Sequence, residues 1–287
     1  MLKKLLMGCL ILSLGIHGVV NAQGHSERIQ RSELLTSEKS INIDVEYALG
    51  RFTLKPSLAD EAFAADIIYN PELFEPQVNY EIRDDIGYLE ISSNKDNEME
   101  FDWEDRDTES EWDINYNPTV PTSMDLSVGL GKGIMELGGA RITSLSVENG
   151  LSETEIDFSK PNMAVMEYMD FETGLGKFRA KSLSNARFEK LDFECGLGSA
   201  TLDFHGVGLD KSEVNISVGL GSATIIVPEN IGVRVETGDN FMSSISFDSS
   251  FRKHSGYYYS PNWNEAEKKM KINIEVGLGS ANIERLP

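Results

Sequence analysis

Phe193-Glu194-Cys195-Gly196-Leu197-Gly198-Ser199-Ala200-Thr201-Leu202 is echoed 23 residues later by Ile216-Ser217-Val218-Gly219-Leu220-Gly221-Ser222-Ala223-Thr224-Ile225. Gly-Leu-Gly also occurs at residues 129–131, 174–176 and 277–279. Asn149-Gly150-Leu151-Ser152 is a variant, and Ala48-Leu49-Gly50 is an early member. From Gly129 the steps are 21, 24, 22, 23 and 58 residues. The last step leaves room for a degenerate repeat near Gly238 and an insertion at about 249–270. Similar flanks at a near-constant spacing mark a repeat architecture.

The flanks alternate. Before the motif, Leu126/Val128, Phe193/Cys195, Ile216/Val218 and Ile274/Val276 are separated by Ser127, Glu194, Ser217 and Glu275. This is the period of a half-buried strand. After the motif the apolar or small side chains fall at even offsets, as in Ala200/Leu202/Phe204 and Ala223/Ile225/Val227. A straight strand would turn its second half inside out. Each motif therefore predicts a glycine elbow that absorbs one residue, with the leucine directed into the core. A phosphate-binding loop would need a helix after the glycines, and strands follow here.

Glu153, Glu155 and Asp157 lie at the offsets that Lys177, Arg179 and Lys181 occupy in the next repeat. Opposite charges at matched positions predict that these two arms are neighbours in register. Short helices are expected at Pro56–Asp66 and Asn264–Met270, and a hairpin over Val78–Ile91. The expected organisation is a tail at 23–40, a β region at 41–118 and a β-repeat region at 119–287, joined near Asn117-Pro118-Thr119-Val120-Pro121. The fold class is all-β: stacked strands resembling a β-solenoid.

The 287 residues carry 26 Lys+Arg against 47 Asp+Glu, a net charge of −21. Such a surface repels nucleic acid and anionic membranes. Lys3 and Lys4, the apolar run Leu5–Val20 and the small residues before position 23 read as a secretory signal cut after Ala22. Its removal takes away two lysines and no acids, leaving −23 and Cys195 as the remaining cysteine. Cys9 comes too early in the apolar run for lipid anchoring. No other stretch reaches the ~20 apolar residues of a membrane span.

Trp112-Asp113-Ile114, Asn117-Pro118, Pro121 and Met124-Asp125-Leu126-Ser127-Val128-Gly129-Leu130-Gly131 resemble the bacterial toast-rack proteins. These group with the LiaF-like C-terminal domains of cell-wall-active antibiotic response proteins and with adhesin domains. Gly219–Ala223 followed by Pro228, Gly232 and Val233, and Tyr258-Tyr259-Ser260 through Ala266 to Ile274–Ser280, extend the resemblance over most of residues 40–287. It implies a stack of strands and supplies no catalytic residues to carry over. LiaF-like proteins attach this domain to membrane helices, whereas a signal segment precedes it here.

Three regions are candidates for binding. Residues 96–113 hold ten acids and one base, Arg106. Ca²⁺ is the sharper reading, but the segment lacks the glycine turn and distant Glu of an EF-hand loop. A solvated acidic loop or edge strand is preferred. Glu148, Glu172, Glu194 and Glu275 each lie two places before an elbow, and Asp125, Asp170 and Asp192 four places before one. Stacked rungs would line them up ~4.8 Å apart, open to a cation or a basic partner, although a solvated face in salt is the preferred reading. Tyr257, Tyr258, Tyr259 and Trp263 form an aromatic cluster that would stack on sugars, anchor a protein or cap an edge.

Catalytic signatures are absent from the sequence: no G-x-S-x-G, H-E-x-x-H or Walker loop occurs. No cofactor is expected, and Cys195 occupies an inward position. These features point to an exported, non-enzymatic envelope or surface module, adhesin-like or scaffold-like, with an envelope protein or a glycan as partner. The alternative is a polysaccharide-active β-solenoid enzyme using Asp or Glu in a groove.

Overall fold

The computed structural model describes residues 26–57, 60–93, 110–238 and 243–287. The expected signal segment, Cys9 and residues 96–109 of the acidic segment lie outside the described residues. Twenty strands occur among the described residues. They begin with β1 (Glu27–Leu34), β2 (Ser40–Pro56), β3 (Glu61–Tyr69), β4 (Pro76–Arg83), β5 (Ile86–Ser93), β6 (Glu111–Tyr116), β7 (Thr122–Glu136) and β8 (Ile142–Asp157). The central rungs are β9 (Met166–Thr173) with β10 (Lys177–Lys181), β11 (Phe188–Cys195) with β12 (Ser199–Asp203), and β13 (Lys211–Val218) with β14 (Ser222–Pro228). The C-terminal part holds β15 (Gly232–Thr237), β16 (Ser244–Phe247), β17 (Arg252–His254), β18 (Tyr257–Tyr259), β19 (Lys269–Val276) and β20 (Ser280–Leu286).

Each rung has two arms joined at an elbow. First arms stack on first arms in the order β5-β2-β7-β8-β9-β11-β13-β19-β15, all parallel. Second arms stack as β6-β2-β7-β8-β10-β12-β14-β20-β16, again parallel. β2, β7 and β8 run through their elbows and belong to both arms. The inward side chains of the two arms form one core, in which Phe171, Phe178 and Phe193 stack along the axis at centroid separations of 5.1 and 5.6 Å. The ladder crosses residue 118 without a break, because β2 pairs with β7 along both arms. Asn117–Pro121 is thus a return turn inside one stack.

The parity change at the elbow is as the sequence requires. Cys195 and Ala200 are both buried, with four residues between them, and the same spacing separates Val128 from Gly133. Backbone amides tie the elbows together: Leu197 N–H donates to Gly174 O at 2.8 Å, and Leu220 N–H to Gly196 O at 2.8 Å. The leucines correct the expectation of an inward side chain. Leu49 is buried and Leu130 partly so. Leu151, Leu175, Leu197, Leu220 and Leu278 are 55, 50, 55, 56 and 56% exposed. The elbow is convex, and its apex residue points away from the core.

The expected helices are corrected too. Pro56 ends β2, and β3 occupies Glu61–Tyr69. Asn264–Met270 is a turn leading into β19, and the only helical turn among the described residues is a 3₁₀ turn at Leu183–Ala186. Alternation in Ala62-Phe63-Ala64-Ala65-Asp66-Ile67 suits a strand, and the pairing of β3 with both β1 and β6 fixes it. The segment expected to be a tail contributes β1, antiparallel to β3. The Val78–Ile91 hairpin forms as expected, with Asp84 and Asp85 both at positive φ as a type I′ turn demands.

Chain order and stacking order part company at the C-terminal end. β15 and β16 are the two arms of the degenerate repeat, and Gly238 closes the first of them, its N–H donating to Ile274 O at 3.0 Å. That rung forms the outer layer, while β19 and β20 insert between it and β13/β14. The chain from 248 to 268 makes this excursion, adding the antiparallel strands β18 and β17 beside β15.

Candidate functional site

The outer face of the first-arm sheet carries the carboxylates. Glu148, Glu172 and Glu194 sit in register on β8, β9 and β11. Ser217 intervenes on β13, so Glu275 on β19 stands one rung apart from the other three. A second row runs beside the first: Glu90, Asp44, Asp125, Ser146, Asp170, Asp192, Asn215 and Asn273 in stacking order. Parallel pairing places equivalent residues ~4.8 Å apart, so these side chains cannot avoid one another.

Their electrostatics differ by position. Burial pushes the Asp170 carboxyl up, and the charges of Asp192, Glu194 and Glu148 add to the shift. Burial and then Asp170, Glu194 and Glu148 do the same to Glu172. Asp192 goes the other way. Burial acts to raise it, but hydrogen bonds from Lys190 at 2.8 Å, Asn215 at 2.6 Å and Tyr168 at 2.8 Å bring it below the ordinary range. The Lys190 ammonium also lies 5.4 Å from the Tyr168 ring centroid. Among the described residues, no ion pair forms at Glu148, Glu172 or Glu194.

At the C-terminal end the aromatic residues form an edge rather than a free loop. Tyr257–Tyr259 is β18, paired on one side with β15 and on the other with β17. Tyr258 turns inward and stacks on Phe247 at 3.9 Å. Tyr257 receives the Arg234 guanidinium at 4.6 Å, and Trp263 packs on Tyr259 at 5.8 Å with the Lys269 ammonium 5.5 Å from its ring centroid. These rings cover the β15 edge and are already engaged by cations. Tyr259 pairs with Arg234, which is in register with Lys271, Glu213 and Lys190, so this ring stands at the C-terminal end of the same outer face.

Two features escape the repeat pattern. A groove of about 680 Å³ crosses β4, β5, β2 and β7, lined by Asn42, Asp44, Asn79, Tyr88, Glu90 and Asp125, with Arg83 4.4 Å from the Tyr88 ring centroid. Its signal lay in the polar residues of the Val78–Ile91 hairpin, but the sequence does not show that β5 stacks on β2. The second is a buried asparagine series in the return turns. Asn117 donates to Glu61 O at 2.7 Å, Asn162 to Ile142 O at 2.7 Å and Asn185 to Phe158 O at 2.9 Å. Of the acidic segment only Ser110–Asp113 is described. Glu111 and Asp113 lie in β6, where Glu111 pairs with Arg51 at 3.8 Å.

The arrangement defines a class: a two-armed parallel β stack with an acidic outer face. Residues 20–180 match the family described as the N-terminal domain of toast_rack, DUF2154, and residues 175–283 match that of cell wall-active antibiotics response LiaF, C-terminal. The chain belongs to the toast-rack family. Among solved structures, a "putative cell adhesion protein" from Clostridium sporogenes is similar at 20% identity and TM-score 0.46, over 91% of this chain and all of that one. A "putative adhesin" from Bacteroides fragilis shows 11% identity and TM-score 0.29, over 89% and 96%. A "putative lipid binding protein" from Parabacteroides distasonis shows 12% identity and TM-score 0.35, over 89% and 96%. No curated protein matches the chain. Among the described residues no helix is long and apolar enough to cross a membrane.

Proposed function

We propose that the protein is an exported, non-enzymatic module of the cell envelope that binds a cationic surface through the outer face of its first-arm sheet. The observation that carries this is the in-register carboxylate ladder at Glu148, Glu172 and Glu194. Burial and like charge push Glu172 in the ladder and Asp170 beside it above the ordinary carboxylate value, and among the described residues no ion pair forms at the three glutamates. A basic protein patch or an amine-bearing glycan would relieve that repulsion and gain electrostatic complementarity along the whole row.

The test is capture from the native envelope with the wild-type chain and with an Asp170→Asn/Glu172→Gln/Glu194→Gln variant. A basic partner is expected on the wild type, weakened by raised salt and lost on the variant. Equal capture by both would overturn the assignment of the face. Cleavage of an envelope glycan that one Asp or Glu substitution abolishes would overturn the non-enzymatic reading. Cell fractionation checks export: an unprocessed chain confined to the cytoplasm would refute it.

A further inference from the structure

The exposed elbow leucines are not scattered. Leu151, Leu175, Leu197, Leu220 and Leu278 belong to five successive rungs, tied together by amide-to-carbonyl bonds of the elbow backbone. They form an apolar spine about 19 Å long at ~4.8 Å per rung. Isolated exposed leucines are ordinary, but a contiguous apolar strip on an otherwise highly charged surface marks an interaction site. The rung-to-rung bonds at these elbows are made by backbone amides and carbonyls, so the leucine side chains are not used by them.

The flanks say what covers it. On the first-arm side the spine is bordered by Glu172, Glu194 and Glu275, and on the second-arm side by Lys177, Ser199 and Ser280, all exposed. We propose that the spine is the interface for a second copy of this chain, the two stacks running parallel and meeting elbow to elbow about a two-fold axis along the stacking direction. That rotation sets the first-arm flank of one copy against the second-arm flank of the other, level by level. Glu172 then meets the second copy's Lys177, and Glu194 and Glu275 meet its Ser199 and Ser280 hydroxyls. Glu148 facing Glu153 is the one unfavourable level. An antiparallel arrangement would instead press glutamate flank on glutamate flank. A lipid occupant is disfavoured, because the same glutamates would approach anionic headgroups. The parallel pairing is isologous, so it closes at two copies and does not propagate into fibres. It turns the two acidic faces to opposite sides and takes into the interface only their edge row, Glu172, Glu194 and Glu275, so the row of Asp125, Asp170 and Asp192 stays open in the dimer.

Sedimentation velocity on the signal-free chain tests this. The expected result is a dimer that becomes a monomer in Leu175→Ser/Leu197→Ser/Leu220→Ser, with an unchanged circular dichroism spectrum. Lys177→Glu should weaken the dimer at least tenfold, and adding Glu172→Lys should restore it. Leu278→Cys should form a disulfide with its own counterpart under mild oxidation, because only the parallel arrangement brings equivalent end rungs together. A wild-type monomer at all concentrations, or a dimer that survives the three serines, would overturn the proposal. So would a Leu278→Cys variant that cross-links only to Leu151→Cys. A monomer that floats with phosphatidylcholine vesicles through the same leucines would replace it with a lipid surface.

Discussion

Glu155 and Arg179 face each other in register on adjacent parallel arms, carboxylate to guanidinium at 3.6 Å, and Lys181 Nζ reaches the same carboxylate at 2.5 Å. The hydrogen bond from Lys181 holds the Glu155 carboxyl below its ordinary range against the cost of burial, with the charges of Lys181 and Arg179 assisting. All three groups are more than a third exposed, so solvent screens most of this. Glu155→Gln should therefore cost no more than ~0.5 kcal/mol in urea unfolding, shrinking further in 1 M salt, where the Debye length is ~3 Å. The contribution is present above the ordinary carboxylate pKa and is lost as pH falls through the lowered folded value. A loss of several kcal/mol, or one indifferent to salt, would show that the arms depend on this pair more than its exposure allows.

Gly131 makes the sharper demand. Its φ is +128°, and a Cβ built there would lie 2.1 Å from Gly50 O on the rung below. Rung-to-rung hydrogen bonding prevents the backbone from yielding. Gly131→Ala should destabilise by ~3 kcal/mol or more, by backbone strain plus steric overlap. Gly256 is the control. Its φ is +89°, but nothing lies within 4 Å of its Cβ position. Gly256→Ala should cost ~1–2 kcal/mol, the strain of the left-handed conformation alone. Equal midpoints for the two variants in a denaturation series would contradict this account.

The difference between those glycines explains what could be read from the sequence. Gly-Leu-Gly with a parity change on either side forces an elbow, and matched charges at Glu155 and Arg179 force neighbouring arms. Both are local or nearest-neighbour facts, and both appear in the structure. The direction of the elbow leucine is different, because hydrophobicity argues inward while convexity argues outward. Leu130 and Leu197 both sit between two glycines, yet Leu130 packs partly against the core and Leu197 is 55% exposed. The insertion of β19 between β13 and β15 was illegible, since spacing records chain order and not stacking order. Glu275 stands apart from Glu194 for a different reason, because Ser217 on β13 lies between them.

Asn162 ties three turns of the stack together. It is 1% exposed. Its amide group donates to Ile142 O at 2.7 Å, Ala164 O at 3.1 Å and Ala186 O at 3.2 Å, and its Oδ1 accepts from Ile142 N–H at 2.9 Å. Truncation leaves several backbone groups buried without partners, each costing ~1–3 kcal/mol unless water enters. Asn162→Ala should lose ~2–4 kcal/mol. Asn162→Asp should be similarly harmful at neutral pH, because it replaces the donating amide by a charge facing three carbonyls. Unfolding midpoints near wild type for both variants would show that the return turns are held by the backbone alone.

Asp170 and Asp192 are register partners with opposite titration, and that contrast gives the acidic face a stability signature. Burial and like charge raise Asp170, so the folded state binds its proton more tightly than the unfolded chain does. Stability then falls as pH rises from the ordinary carboxylate pKa of ~3.9 to the raised folded value. Asp170→Asn should remove that penalty, raising stability at pH 7 by up to ~0.5 kcal/mol and giving no advantage at pH 3. Asp192 has its folded pKa lowered by Lys190, Asn215 and Tyr168 despite burial. Its contribution is therefore present above the ordinary carboxylate pKa and lost as pH falls below it. Asp192→Asn should cost ~1 kcal/mol at pH 7 by weakening charge-assisted hydrogen bonds, and little in acid. Thermal unfolding of both variants between pH 3 and 8 reads the two signs directly. If both substitutions shift stability the same way at pH 7, Asp192 is not the neutralised member of the row, and repulsion is shared evenly along it.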